Sequence, residues 1–232
     1  MAITLRNVKG SELTHNELDQ NFIDLRDGVA LQIPKAQNSG IKVDSQGTPT
    51  YPWHDLIGTL NVYGDVGDAT RAVYRGGIKV LQCDVLDQAY VDFHMPHDYL
   101  MGSDIHIHTH WSHDSATVTG GSVTWAFEMI YSKGHGQSAF SAPVTSSVIQ
   151  SASTTQYQHM VAETLASTSG GAADLLDSDL IEPDGLILCR VYLDSNDITD
   201  SVTQPSPFLH AVDIHYQSTT VGTKQKSPDF WT

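Results

Sequence analysis

The residues best suited to chemistry lie in one stretch, Asp104-Ile105-His106-Ile107-His108-Thr109-His110-Trp111, where histidine recurs at every second position. Successive side chains of an extended strand point to opposite faces. His106, His108 and His110 therefore share one face, and Ile105, Ile107, Thr109 and Trp111 share the other. His113 follows just past the end, and His94 and His97 stand before the preceding turn. Three imidazoles on one face suit a metal site, a polar seam between subunits or a wet surface. A metal needs three or four neutral imidazoles or carboxylates converging to ~2.0–2.2 Å from one ion. Same-face neighbours on a strand stand ~6.5–7 Å apart, so two of these histidines share an ion only if their rotamers lean together. A trimer relaxes that restriction. One or two histidines per chain on a three-fold axis supply three or six ligands, and six make the octahedral set that suits a transition metal. On this reading His106 and His108 are the ligands. The alternative is a polar histidine face, hydrogen-bonded to Asp98, Tyr131 or Tyr216 or lining a subunit interface.

Other chemistries leave fainter traces. A His-x-His strand with a distant His210 or His215, and Glu128 as carboxylate, superficially resembles a cupin-like metal enzyme. The cupin pattern wants a Glu soon after the motif, yet residues 111–115 read Trp-Ser-His-Asp-Ser, which argues against such a triad. No Gly-x-Ser-x-Gly elbow and no phosphate-cradling loop ending in Lys-Ser/Thr occurs. Paired carboxylates for sugar cleavage leave no local signature and stay open. Asp194-Ser195-Asn196-Asp197 lacks the Gly and closing Glu of a calcium loop.

The scaffold for these residues is bounded by composition. The chain has 232 residues, 40% of them hydrophobic, enough for one sizeable core. Twelve Lys and Arg stand against 27 Asp and Glu, a formal charge of -15. Such a surface repels phosphate backbones and anionic lipids, so neither nucleic-acid binding nor membrane insertion is expected. No run approaches the ~18 consecutive apolar residues of a membrane span. Met1 to Lys9 has no secretion-signal pattern, so synthesis and assembly in a host cytoplasm are expected. Cys83 and Cys189 each sit in a strand-like apolar run, and free structural thiols are expected rather than a disulfide.

Three regions follow from the pattern. In residues 1–33, Thr14 with Glu17 three positions on forms a capping box. The helix it opens carries Leu13 at its entry and Leu18, Phe22, Leu25 and Val29 along one thin stripe. So narrow an apolar stripe asks for partner helices, most simply its own copies. Residues 34–58, punctuated by Pro34, Gly40, Gly47, Pro49 and Pro52, read as a linker. Residues 59–232 read as strands at 77–82, 89–94, 104–111, 122–131, 144–149, 157–164, 185–193 and 208–216, separated by Gly, Pro, Asp and Ser clusters. Eight strands and no later helix predict an all-β fold, a jelly-roll-like β-sandwich preceded by a short helical oligomerisation and attachment segment.

Two resemblances add to this. The segment holding Leu13, Thr14, Glu17, Leu18, Asp19, Asn21 and Phe22 resembles the N-terminal segment of many tail-fibre and other virion proteins of tailed bacteriophages, where Leu-Thr-x-x-Glu-Leu-Asp-x-Asn-Phe is common. Residues 85–222 are similar to phage structural proteins in which a Pro-His-Asp-Tyr turn, here Pro96 to Tyr99, leads to a His-x-His-Trp strand, here His108 to Trp111. The resemblance implies a non-enzymatic virion component, homotrimeric and attached through its N-terminus, with other virion proteins and the host cell surface as partners. A short tail fibre is the first expectation and a capsid decoration protein the alternative. Some phage needle tips carry a His-x-His from each chain on one axial iron, which is what His106 and His108 would do in a trimer.

Overall fold

Period-two alternation becomes strand almost wherever it occurs. The computed structural model describes residues 51–219, the backbone of 31–36 and 39–43, and Glu12, Thr14, His15, Asn16 and Leu18. The chain divides into two compact units, residues 1–50 and 51–232. In the first, the Leu18 amide donates to the Thr14 carbonyl at 3.0 Å, one turn of helix where the Thr14 cap predicts it. Leu18 itself is exposed; Leu13, Phe22, Leu25 and Val29 lie outside the described residues. Strand β1 (Leu31–Ala36) pairs antiparallel with β2 (Ser39–Val43).

The second unit is an all-β, jelly-roll-like sandwich. Its strands are β3 (Trp53–Ile57), β4 (Thr70–Arg75), β5 (Ile78–Gln82), β6 (Gln88–His94), β7 (His106–Ser112), β8 (Val118–Gly120), β9 (Ser122–Ser132) and β10 (Val144–Ser151). They continue with β11 (Met160–Leu165), β12 (Ser167–Thr168), β13 (Leu176–Asp177), β14 (Leu186–Asn196), β15 (Thr199–Asp200) and β16 (Phe208–Gln217). One sheet runs β10-β9-β14-β6; the larger runs β11-β7-β16-β5-β4, with β3 also on β16. Successive long strands from β5 on change sheet, apart from the β9–β10 pair, as a jelly roll requires.

The inward positions of both sheets meet in one core. Ile107 and Trp111 of β7 and Val212 and Ile214 of β16 are fully buried with Val91, Phe93, Trp125, Phe127, Met129, Ile187 and Val191 of the smaller sheet. Each such side chain contributes roughly 1.5–3 kcal/mol by leaving water. Cys83 and Cys189 are free, buried thiols.

The expected 34–58 linker is corrected. It contains part of β1, all of β2, and β3, which runs antiparallel to β16 with Asp55 opposite His215 and Ile57 opposite Asp213. Leu56 packs on the core. Gly58 is a packing residue rather than punctuation: a Cβ there would lie 2.0 Å from Val91 Cγ2 and 2.8 Å from Phe93 Cε1. Five residues between prolines and glycines are too short for alternation to be read with assurance. The stretch 164–179 holds the short β12–β13 pair and runs into a 3₁₀ turn at Ser178–Leu180.

Candidate metal centre on the larger sheet

Alternation places the three histidines of β7 on the outer face of the larger sheet, because Ile107 and Trp111 are drawn into the core. Register then decides what stands beside them. On one side β11 puts Glu163 opposite His108; on the other β16 puts Asp213 opposite His108 and His215 opposite His106. β3 adds Asp55 opposite His215. Four strands thus assemble a cluster that no single segment contains.

His108 is its centre. Its side chain is 4% exposed, with Nε2 2.6 Å from Glu163 Oε2 and Nδ1 3.6 Å from Asp213 Oδ2. Asp213, equally buried, holds His110 Nε2 at 2.7 Å and faces His215 Nε2 at 3.7 Å. His215 also contacts Asp55 through Nε2 and meets the His108 ring edge-on, centroids 3.8 Å apart. Burial pulls His108 toward its neutral form, but Asp213 and Glu163 at its two nitrogens outweigh that and raise its pKa. Burial likewise works to raise Asp213, and His108 and His110 overcome it to hold the carboxyl below its usual value. His210 goes the other way, down to about 4, because it is buried and faces His159 and His110.

Among the described residues three groups offer converging ligand atoms within 4.8 Å of one another: His108 with Glu163 and His215, His108 with His110 and Asp213, and Asp55 with Asp213 and His215. Of the two predicted ligands, His108 belongs to two groups and His106 to none. His106 Nδ1 stands 3.5 Å from Glu163 Oε1, and its ring meets Trp53 edge-on at 5.3 Å. The first group opens onto a cavity of about 330 Å³ lined by Trp53, His106, Glu163 and His215.

The expected hydrogen-bond partners of the histidine face are corrected. Asp98 accepts from Tyr216 Oη at 3.0 Å and from Ser218 Oγ at 2.5 Å, while Tyr131 Oη accepts the Glu182 amide. Tyr216 points inward as part of the core, so parity along β16 removes it from the histidine face. Glu128, the carboxylate of the cupin-like reading, lies on the other sheet and pairs with Arg190 at 2.9 Å. His94 and His97 join His135 around Asp184, at 3.5, 3.1 and 2.8 Å, and mainly the His135 bond lowers the Asp184 pKa.

Sequence reasoning missed Glu163, Asp213 and Asp55 as cluster members. The signal for Asp213 was present: a carboxylate inside the apolar alternation Val212-Asp213-Ile214, two positions from His215. Glu163 and Asp55 become visible only through strand pairing.

No protein-family model and no curated protein matches the sequence. Among solved structures, the chain is similar to the CBM22-1–GH10 modules of the Clostridium thermocellum endo-1,4-β-D-xylanase 10B complexed with xylohexaose, with 13% identity and a TM-score of 0.34 over 75% of this chain and 27% of that one. The chain thus spans about a quarter of that protein. TmCBM61 in complex with β-1,4-galactotriose gives 8% identity and a TM-score of 0.26, over 72% of this chain and 89% of that one. The C-terminal family 22 carbohydrate-binding module of Clostridium thermocellum Xyn10B gives 12% and 0.21, over 74% and 85%. Likeness this distant carries neither ligand nor activity over to this chain.

Proposed function

We propose that the chain is a non-enzymatic structural protein of a tailed-bacteriophage particle, a short homotrimeric tail fibre held to other virion proteins by residues 1–33. The observation that carries this reading is the division of the chain at residue 50. Every residue that carries the fibre-type resemblance lies in the first unit, while the sandwich closes a core from residues 56 onward. A thin stripe of Leu13, Leu18, Phe22, Leu25 and Val29 suits self-association. A sandwich with its own core suits presentation.

Three sandwiches on one anchor raise the effective concentration of whatever surface they carry, so weak single contacts add to firm attachment. The smaller sheet offers such a surface. A groove of about 350 Å³ is lined by Tyr63, Tyr90, Asp92, Glu128 and Arg190. The two tyrosine rings lie 5.2 Å apart, beside the Glu128–Arg190 pair. Aromatic faces with charged hydrogen-bonding groups suit host-surface ligands. The charge of -15 keeps crowded copies apart.

The test is imaging of purified particles labelled with antibody to the sandwich. Label at the tail, in a few copies that are multiples of three, is the expected result. Hundreds of copies over the head would replace the fibre by a decoration protein, and absence from particles would overturn both.

A further inference from the structure

We infer that one chain by itself holds a divalent transition-metal ion on the outer face of the larger sheet, through His108, Glu163 and His215, with Asp213 orienting His108 from behind. This goes beyond the fibre reading and does not depend on it.

Geometry favours this group over the other two. Ligand atoms bound at ~2.0–2.2 Å stand roughly 3.3–3.6 Å apart around a tetrahedral ion. The three ligand atoms already lie within 4.8 Å of one another. Small torsions of Glu163 and His215, whose side chains are 52% and 31% exposed, open the 2.6 Å His108–Glu163 contact to the tetrahedral spacing and draw His215 in. His108 is fixed by burial with Nε2 aimed at Glu163, and Nδ1 faces Asp213 Oδ2 at 3.6 Å. Without metal the 2.6 Å contact puts a proton on Nε2; an ion displaces that proton, and Asp213 beside Nδ1 is placed to hold the remaining ring proton. Asp213 suits the supporting role because His110 already holds its other oxygen at 2.7 Å. The cavity lined by Trp53 and His106 lies on the open side, leaving room for water or an outside ligand to complete the shell.

Charge gives an independent argument. Among the described residues, Glu163, Asp213 and Asp55 form ion pairs with histidines alone, never with Lys or Arg. A neutral imidazole brings a lone pair and no charge, so three carboxylates on one face lack a permanent counter-charge. A divalent cation supplies it. Two imidazoles with one carboxylate favour Zn²⁺, Co²⁺, Ni²⁺ or Fe²⁺ over the all-oxygen shells of Ca²⁺ and Mg²⁺, and the set has no thiolate for Cu⁺.

The experiment uses the full chain after chelator treatment, titrated at pH 7.5 with Zn²⁺ by calorimetry and with Co²⁺ by visible absorption. One ion per chain is expected. His215→Ala and Glu163→Gln should each weaken Zn²⁺ binding by 100-fold or more. Asp213→Asn should weaken it by about 10–100-fold, and His106→Ala or His110→Ala by less than about threefold. Circular dichroism identifies any variant that fails to fold, and the partly exposed positions 163 and 215 keep the test informative if position 213 does not tolerate change. One ion per three chains, lost with His106→Ala, would overturn the assignment in favour of an axial site. So would unchanged affinity in both His215→Ala and Glu163→Gln, or no binding by the wild-type chain.

Discussion

His108 and Glu163 face each other across the β7–β11 ladder, with Nε2 and Oε2 2.6 Å apart, yet the histidine side chain is 4% exposed and the glutamate's 52%. One contact thus joins a buried group to a wet one. Removing the buried partner should cost far more. His108→Ala leaves the buried Asp213 without one of its partners and should destabilise by about 3 kcal/mol. Glu163→Gln removes an exposed charge and should cost less than about 1 kcal/mol. Urea unfolding of the two variants in chelator checks the order; equal losses would mean that His108 is not the hub.

Acid should weaken the fold through His210. Its folded pKa, about 4, lies below the ordinary 6.5 because of burial and the neighbouring His159 and His110. Between those values the unfolded chain binds the extra proton, so this contribution is intact above pH 6.5 and declines as pH falls toward 4. His108 has the opposite sign: its pKa is raised, so its contribution is intact below the unfolded value and lost as pH rises through the folded one. His210→Gln places an amide near the Nε2 position and so keeps a partner for Ser112 Oγ, which lies 2.7 Å from His210 Nε2. It should flatten the decline between pH 6.5 and 4 by on the order of 1–2 kcal/mol, allowing for solvent screening of a part-exposed group. Thermal melts across that range read the effect, and an unchanged slope would assign the acid sensitivity elsewhere.

Gly58→Ala should destabilise by about 1–3 kcal/mol, since the new methyl meets Val91 and Phe93 at impossible distances. Gly77→Ala, with nothing within 4 Å, should stay within about 0.5 kcal/mol. Denaturant midpoints compare them. Equal effects would return residues 53–58 to the status of a linker.

Cys83 and Cys189 should resist thiol reagents in the native chain. Both are buried, and burial raises their pKa values well above the ordinary thiol range, so little thiolate forms. After unfolding in denaturant without reductant, two thiols per chain should react. None would indicate a disulfide.

What the sequence made legible follows the reach of its local signals. The eight runs expected as strands correspond to β5, β6, β7, β9, β10, β11, β14 and β16, which read either as alternating or as apolar runs between turn residues. β3 and β4 escaped notice, being set among Pro, Gly and charged residues. The face of His106, His108 and His110 was readable from parity alone. Their carboxylate neighbours were not, because Glu163, Asp213 and Asp55 arrive from three other strands through register. The bulge between Leu209 and Ala211 on β16, which shifts His210 relative to β7, has no mark in composition either.

Three chains should act as one, and sedimentation equilibrium of the full chain reads this without labels. A single species of three times the 25.3 kDa chain mass is expected, with Leu18→Asp combined with Phe22→Asp reducing it to one chain. A wild-type protein that stays at one chain mass up to hundreds of micromolar would contradict it.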